Sequence, residues 1–312
     1  MSTYKQIAGT DIEVLSSDPA NPVEGQVWYN STSNTVKAVF NDPGSWATGG
    51  SLNTGRTVTG VGTQTAALAI GGGTPPVTGA TESYDGTSWT EVNDLNTARR
   101  KIGSAGIQTA ALAFGGEGPP AQAVTESWNG SAWTEVNDLN TGRYGLGGAG
   151  TQTAALGFGG ATPTVTAVTE SWNGTSWTEL NDLNTGRRYI AGFGTQTAAL
   201  GFGGNTGPNS VTESWNGTSW TEVNDLNTGR QAMAGAGIQT AGLGFGGNAG
   251  PKAQTESWNG TSWTELNDLN TGRDELGGAG TQTLALGFGG SPVITATEEW
   301  NAGPQTITFT DS

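Results

Sequence analysis

The side chains that could do chemistry in this sequence are carboxylates, and they come in copies. Asp and Glu number 27 against 12 Lys and Arg, and neither His nor Cys occurs. The commonest general base and the commonest metal ligand are therefore missing, and disulfides and thiolate metal centres are excluded. Recurring groups such as Glu170, Glu179 and Asp182 suggest an acid–base pair or a calcium site. Either would need one asymmetric constellation whose members are pushed to different pKa values. Here the same carboxylates return with every copy of one phrase, so they read as solvated strand edges partly paired with arginine. No catalytic residue, metal or cofactor is expected.

Two further patterns have structural explanations. Gly pairs recur at Gly71-Gly72, Gly115-Gly116, Gly159-Gly160, Gly203-Gly204, Gly246-Gly247 and Gly289-Gly290. A phosphate cradle would need a Lys and a helix after them; a crowded strand end needs only glycine. Runs such as Asn173-Gly174-Thr175 match a glycosylation acceptor. Asn-Gly between two short apolar or β-branched runs is first a hairpin-turn signal.

The elements that hold these residues follow from the repeat. Leu-Asn-Thr-Gly/Ala-Arg ends at Arg56, Arg99, Arg143, Arg187, Arg230 and Arg273, at intervals of 43 or 44 residues. From Tyr144 onward, YGLGGAG reads as a first strand and TQT as a turn. AALGFGG is the second strand, followed by a Pro/Thr-rich loop. AVTESWN is the third, Asn173-Gly174 turns, and SWTEL is the fourth. Periods in the forties with four strands each predict propeller blades. Low apolar content (33%) and 53 glycines would otherwise suit a disordered chain, but 12 tryptophans at fixed places supply a core.

The Gly pair, an aromatic, a tryptophan five residues later and then an arginine together resemble the Kelch repeat. The aromatic pairs are Tyr84/Trp89, Trp128/Trp133, Trp172/Trp177, Trp215/Trp220 and Trp258/Trp263, and they are expected to pack neighbouring blades. The copies depart from Kelch in carrying Trp-Asn where Tyr-Asp is usual, and they lack the Gly-His and Trp-Asp of WD repeats. The resemblance implies an all-β fold, a six-bladed Kelch-like β-propeller of four-stranded antiparallel blades. Trp46 looks like part of a fourth strand without the preceding ones, and Trp300 like part of a third strand without a following one. Joined, they would close the last blade with strands from both termini; residues 35–40, TVKAVF, compete for the third-strand place. The copper-oxidase centre of some Kelch-like enzymes is excluded without His.

The copies differ in two windows. One follows the arginine and holds Arg100, Lys101, Tyr144, Arg188, Tyr189, Gln231, Asp274 and Glu275; the other lies between the second and third strands. In an antiparallel blade both connections emerge on one face, and the uniform TQT and NGT turns on the other. Loops on a rigid scaffold are where recognition sits, so these eight residues form a candidate binding face for a glycan or protein. Drift in loops free to vary remains the alternative.

Residues 1–44 read as an N-terminal arm and hairpin, VWYN-STSN-TVKAVF; residues 45–303 form the propeller and 304–312 a C-terminal tail. The hairpin resembles a short element near the N-terminus of bacteriophage tail-fibre and other virion proteins. That resemblance implies a virion structural protein, anchored to other virion proteins through the arm and used for host attachment or particle decoration, with homo-oligomerisation open. Net charge of −15 with scattered basic residues excludes nucleic acid, and no apolar run suits membrane insertion. Without a visible signal segment, synthesis in the host cytoplasm and release by lysis are expected. A free lectin-like glycan- or protein-binding propeller is the alternative.

Overall fold

In a computed structural model, residues 12–73, 76–118, 121–205, 210–248 and 252–309 are described. Among them all regular structure is β, in repeated four-stranded antiparallel sheets. One repeat runs Gly147–Gly150, Ala155–Phe158, Thr169–Trp172 and Trp177–Glu179, each strand paired with the next in order. Five sheets have this form. In the last one Gly277–Gly280, Leu284–Phe288 and Thr297–Phe309 are followed by Thr35–Thr48, a strand from the other end of the chain.

The repeated Trp, Thr, Gln and Asn recur because they bind a neighbouring unit. The fourth-strand tryptophan donates from Nε1 to a threonine hydroxyl one unit back, over 2.9–3.1 Å: Trp133 to Thr81, Trp177 to Thr125, Trp220 to Thr169 and Trp263 to Thr212. Trp89 does the same to Thr297, and Trp46 to Thr255. The Gln of each TQT turn donates to the carbonyl of the previous unit's aromatic residue, as Gln282 does to Trp258 at 2.7 Å and Gln64 to Trp300 at 2.6 Å. The Asn of each Leu-Asn-Thr phrase reaches forward: Asn140 donates from its backbone N and from Nδ2 to Glu170 Oε2, both at 2.8 Å, and Nδ2 also to Trp177 O.

Arginine completes that clamp. Arg143 Nη2 donates to Glu170 Oε1 at 2.9 Å and Arg187 Nη2 to Glu213 Oε1 at 3.0 Å, and all six repeat arginines are fully buried. The expectation of solvated carboxylates therefore fails for Glu170 and its equivalents, which are buried, and holds for Glu179 and Asp182, which are exposed. Thr-Glu-Ser-Trp strands lie between two neighbouring sheets, so both of their faces can be covered. Burial pulls Arg99, Arg143, Arg187, Arg230 and Arg273 below the usual guanidinium range, their Glu partners opposing.

The Gly pair is where the chain crosses the clamp. Gly159 and Gly160 have φ of +66° and +103°, and a Cβ on Gly159 would stand 2.5 Å from Arg187 O. The NGT turn differs from a two-residue hairpin. Trp172 pairs with Trp177, so four residues form the loop, and only Gly174 is left-handed. Asn173 instead caps the turn, its Oδ1 accepting from Thr175 N and Ser176 N at 2.9 Å each.

The chain divides into two compact units, residues 46–301 on one side and 1–45 with 302–312 on the other. Residues 1–11 and 310–312 lie outside the described part. In the smaller unit Val27–Asn30 pairs antiparallel with Thr35–Ala38, and Glu13–Leu15 joins it in parallel. TVKAVF thus belongs to the hairpin, and residues 46–48 of the same strand serve the repeat. Asp18 fastens the hairpin, accepting from Lys37 Nζ (2.6 Å), Asn30 Nδ2 (2.7 Å) and Trp28 Nε1 (3.0 Å), which holds its carboxyl down at about 2.

Candidate functional site

The two variable windows meet. The residue after each arginine bridges to the residue after the next Gly pair: Arg100 to Glu117, Tyr144 to Ala161, Arg188 to Asn205, Gln231 to Asn248 and Asp274 to Ser291. The uniform turns meet at the other strand ends, where a Cβ on Gly174 would lie 3.4 Å from Thr153 O. Thr74, Pro75, Pro119, Pro120, 206–209 and 249–251 of the second window lie outside the described residues.

The next residue along the first window is left-handed in five units: Lys101, Gly145, Tyr189, Ala232 and Glu275, with φ between 49° and 64°. For a non-glycine residue this conformation costs about 1 kcal/mol. At Tyr189, Ala232 and Glu275 it is offset by a backbone hydrogen bond to the preceding unit, which Gly145 and Val58 also make. Gly145 N donates to Lys101 O (2.8 Å), Tyr189 N to Gly145 O (2.6 Å), Ala232 N to Tyr189 O (2.9 Å), Glu275 N to Ala232 O (2.9 Å) and Val58 N to Glu275 O (3.1 Å). One collar of peptide groups thus links all six units. The residue after it is apolar and buried: Ile102, Leu146, Ile190, Met233 and Leu276, with Val58 in the first unit.

The collar surrounds a cavity of about 120 Å³, with Lys101, Tyr189 and Glu275 at its rim and the apolar ring beneath. A second cavity of about 110 Å³ is lined by the first strands, including Gly60, Gly103, Gly148 and Gly192.

Charge is distributed unevenly. Six of the 12 basic residues are the buried repeat arginines, and Lys5 and Lys37 precede the repeats. The remaining four, Arg100, Lys101, Arg188 and Lys252, all belong to the variable windows. Lys101 donates from Nζ to Tyr189 Oη at 3.0 Å and lies 5.0 Å and 5.9 Å from the centroids of the Tyr189 and Tyr144 rings. Its ammonium is 3.2 Å from Glu117 Oε2 and 4.0 Å from Glu275 Oε1. Desolvation pulls the Lys101 pKa down, but Tyr189, Glu275 and Glu117 together raise it above its usual value. Burial pushes the Glu275 carboxyl up, Lys101 opposing.

Of the eight residues expected on this face, Lys101, Tyr189 and Glu275 line the cavity. Arg188 donates from Nη1 to Tyr144 Oη at 3.1 Å and lies 5.2 Å from the Tyr189 ring centroid; its buried Nε has no partner among the described residues. Arg100 is paired with Glu117. Gln231 is half-buried, with Oε1 unpartnered among the described residues. Asp274 departs from the expectation. It is only 5% exposed, because Asn248 Nδ2 (3.0 Å) and Lys252 Nζ (2.8 Å) donate to its Oδ2 and draw it inward.

The paired tryptophans are buried and stack within and between units, Trp172 against Trp177 at 5.5 Å and Trp177 against Phe114 at 4.9 Å. They are packing groups. Sequence reasoning did not find Glu117, which partners Arg100 and Lys101, or the apolar ring; the fixed apolar residue three places after five of the arginines was the available signal.

No protein-family model matches the chain, and no curated protein matches it.

Proposed function

We propose that residues 46–301 form a six-bladed, Kelch-like propeller whose last blade is completed by strands from both ends of the chain, and that it is a non-enzymatic recognition module. Its variable face contacts a host-surface glycan or protein. The observation that carries this reading is the collection of all four repeat-region cations outside the clamp, with Tyr144 and Tyr189, on the one end where the copies differ. Six near-identical units support ring closure, as do the contacts from Trp46 to Thr255 and from Trp89 to Thr297, which repeat those between consecutive units.

The setting we propose is a bacteriophage virion, with the N-terminal hairpin as the attachment to other virion proteins. It rests on the resemblance of residues 18–40 to virion hairpins and on the Kelch-like repeat. Host attachment as a tail fibre and decoration of the particle are the two forms of this role. Mass spectrometry of gradient-purified particles tests it. The chain should co-sediment at a fixed copy number, and its presence only in the soluble lysate would leave a free lectin-like protein in its place.

A further inference from the structure

We propose that Asn129, Asn173, Asn216 and Asn259 are sites of self-modification, where the side-chain amide is exchanged for a carboxylate and the turn keeps its shape. Each opens one of the four Asn-Gly turns and is exposed. A fifth turn of the same geometry already carries the product. The four asparagines each accept two backbone N–H groups on Oδ1, from the residues two and three places on, all at 2.9 Å. Asp85 accepts the same pair on its Oδ1, from Thr87 N at 2.9 Å and Ser88 N at 2.8 Å. The glycine that follows has φ between 91° and 93° in all five turns. The backbone N–H groups of Ser88 and Thr87 hold the Asp85 carboxyl below its usual range, so the turn favours the charge that the exchange creates.

The turn leaves each participant free to react. The nucleophile is the nitrogen of the following glycine, which has no Cβ to crowd the approach. At Gly174 that nitrogen makes no hydrogen bond among the described residues, and neither does the leaving group, Asn173 Nδ2. The electrophile is Asn173 Cγ. Its oxygen already faces two N–H donors, Thr175 N and Ser176 N, which would stabilise an oxyanion there. The bond from Thr175 N to Oδ1 also closes a ring that contains both Cγ and Gly174 N, which keeps them neighbours. Gly174 N gives its proton to water and bonds to Cγ. The Cγ–Nδ2 bond breaks, and Nδ2 takes a proton and leaves as ammonia. Water then opens the resulting succinimide. Cleavage between Cγ and Gly174 N restores the main chain with aspartate in the place that Asp85 fills in the first unit. Each such exchange adds one negative charge to the end of the unit that carries the uniform turns.

Three other exposed asparagines are internal controls. Asn137, Asn181 and Asn224 are each followed by aspartate, and their Nδ2 groups are held by Thr175 O, Thr218 O and Thr261 O at 2.8–2.9 Å. The full folded chain should be kept at mildly alkaline pH in water enriched in heavy oxygen and then mapped by peptide mass spectrometry. Asn129, Asn173, Asn216 and Asn259 should each show the mass of an amide exchanged for a carboxylate with one heavy oxygen, and ammonia should appear in step. Asn137, Asn181 and Asn224 should keep their amides. Asn173→Asp should melt with the parent chain, whereas Asn173→Ala, which loses both capping bonds, should melt lower. Exchange that occurs only in urea, where the turns are lost, would overturn the assignment. So would equal exchange at the three controls, or an Asn173→Asp chain that melts as low as Asn173→Ala.

Discussion

Two levels of this molecule use charge in opposite ways. At the Arg–Glu clamp, a cation and an anion are removed from water in every unit, and each carboxylate is filled by three or four donors. At the collar, the side chains differ from unit to unit, and what recurs is the backbone: a left-handed residue in five units and five peptide hydrogen bonds between neighbours. The first level tolerates no change of side chain because its bonds are made by side chains. The second can vary because its bonds are not. A surface that holds its shape while its residues change is one on which specificity can evolve without loss of the fold.

The largest effects should come from breaking the clamp. Glu213→Ala would leave Arg187 buried without its partner and lower stability by about 3–5 kcal/mol, read as a shifted urea midpoint. The equivalent change in any other unit should cost a similar amount. Trp46→Ala should cost as much as Trp220→Ala, about 3–5 kcal/mol each, because both fill the same place in the repeat; a silent Trp46 variant would break the proposed ring closure.

Gln152→Ala should cost about 1–3 kcal/mol, by leaving Trp128 O without its donor. A smaller effect depends on pH. Tyr84 stands where other copies have Trp and donates to Glu299 Oε1 at 2.6 Å; burial and that carboxylate push its pKa up to about 12. The folded phenol keeps its proton where the unfolded one loses it. The stabilisation is complete below pH about 10 and lost as pH rises through about 12. Tyr84→Phe should flatten that part of the stability profile. At the collar, Ala232→Gly relieves a left-handed Cβ but loosens the unfolded chain, so stability should move by less than about 1 kcal/mol.

Strand order was legible because tryptophan, glycine and the Asn-Gly turn recur at fixed spacings. The burial of Glu170 was not, because a strand covered on both faces shows no alternation: Thr169, Glu170 and Trp172 are all buried. The clustering of the variable windows followed from antiparallel topology alone. The collar had no side-chain signature, since peptide groups make its bonds and Tyr, Glu and Lys are not types that announce a left-handed backbone. Asp274 was read as presented because its two donors, Asn248 and Lys252, sit in the other window.

Recognition by the variable windows requires that their end of the repeat unit, and not the end with the uniform turns, meets the partner. Labelled chain carrying Tyr144→Ala with Tyr189→Ala, and labelled chain carrying Thr175→Ala with Thr218→Ala in the exposed uniform turns, should be compared for attachment to host cells. Loss of attachment in the tyrosine variant and none in the threonine variant is the result expected; the reverse pattern would contradict it.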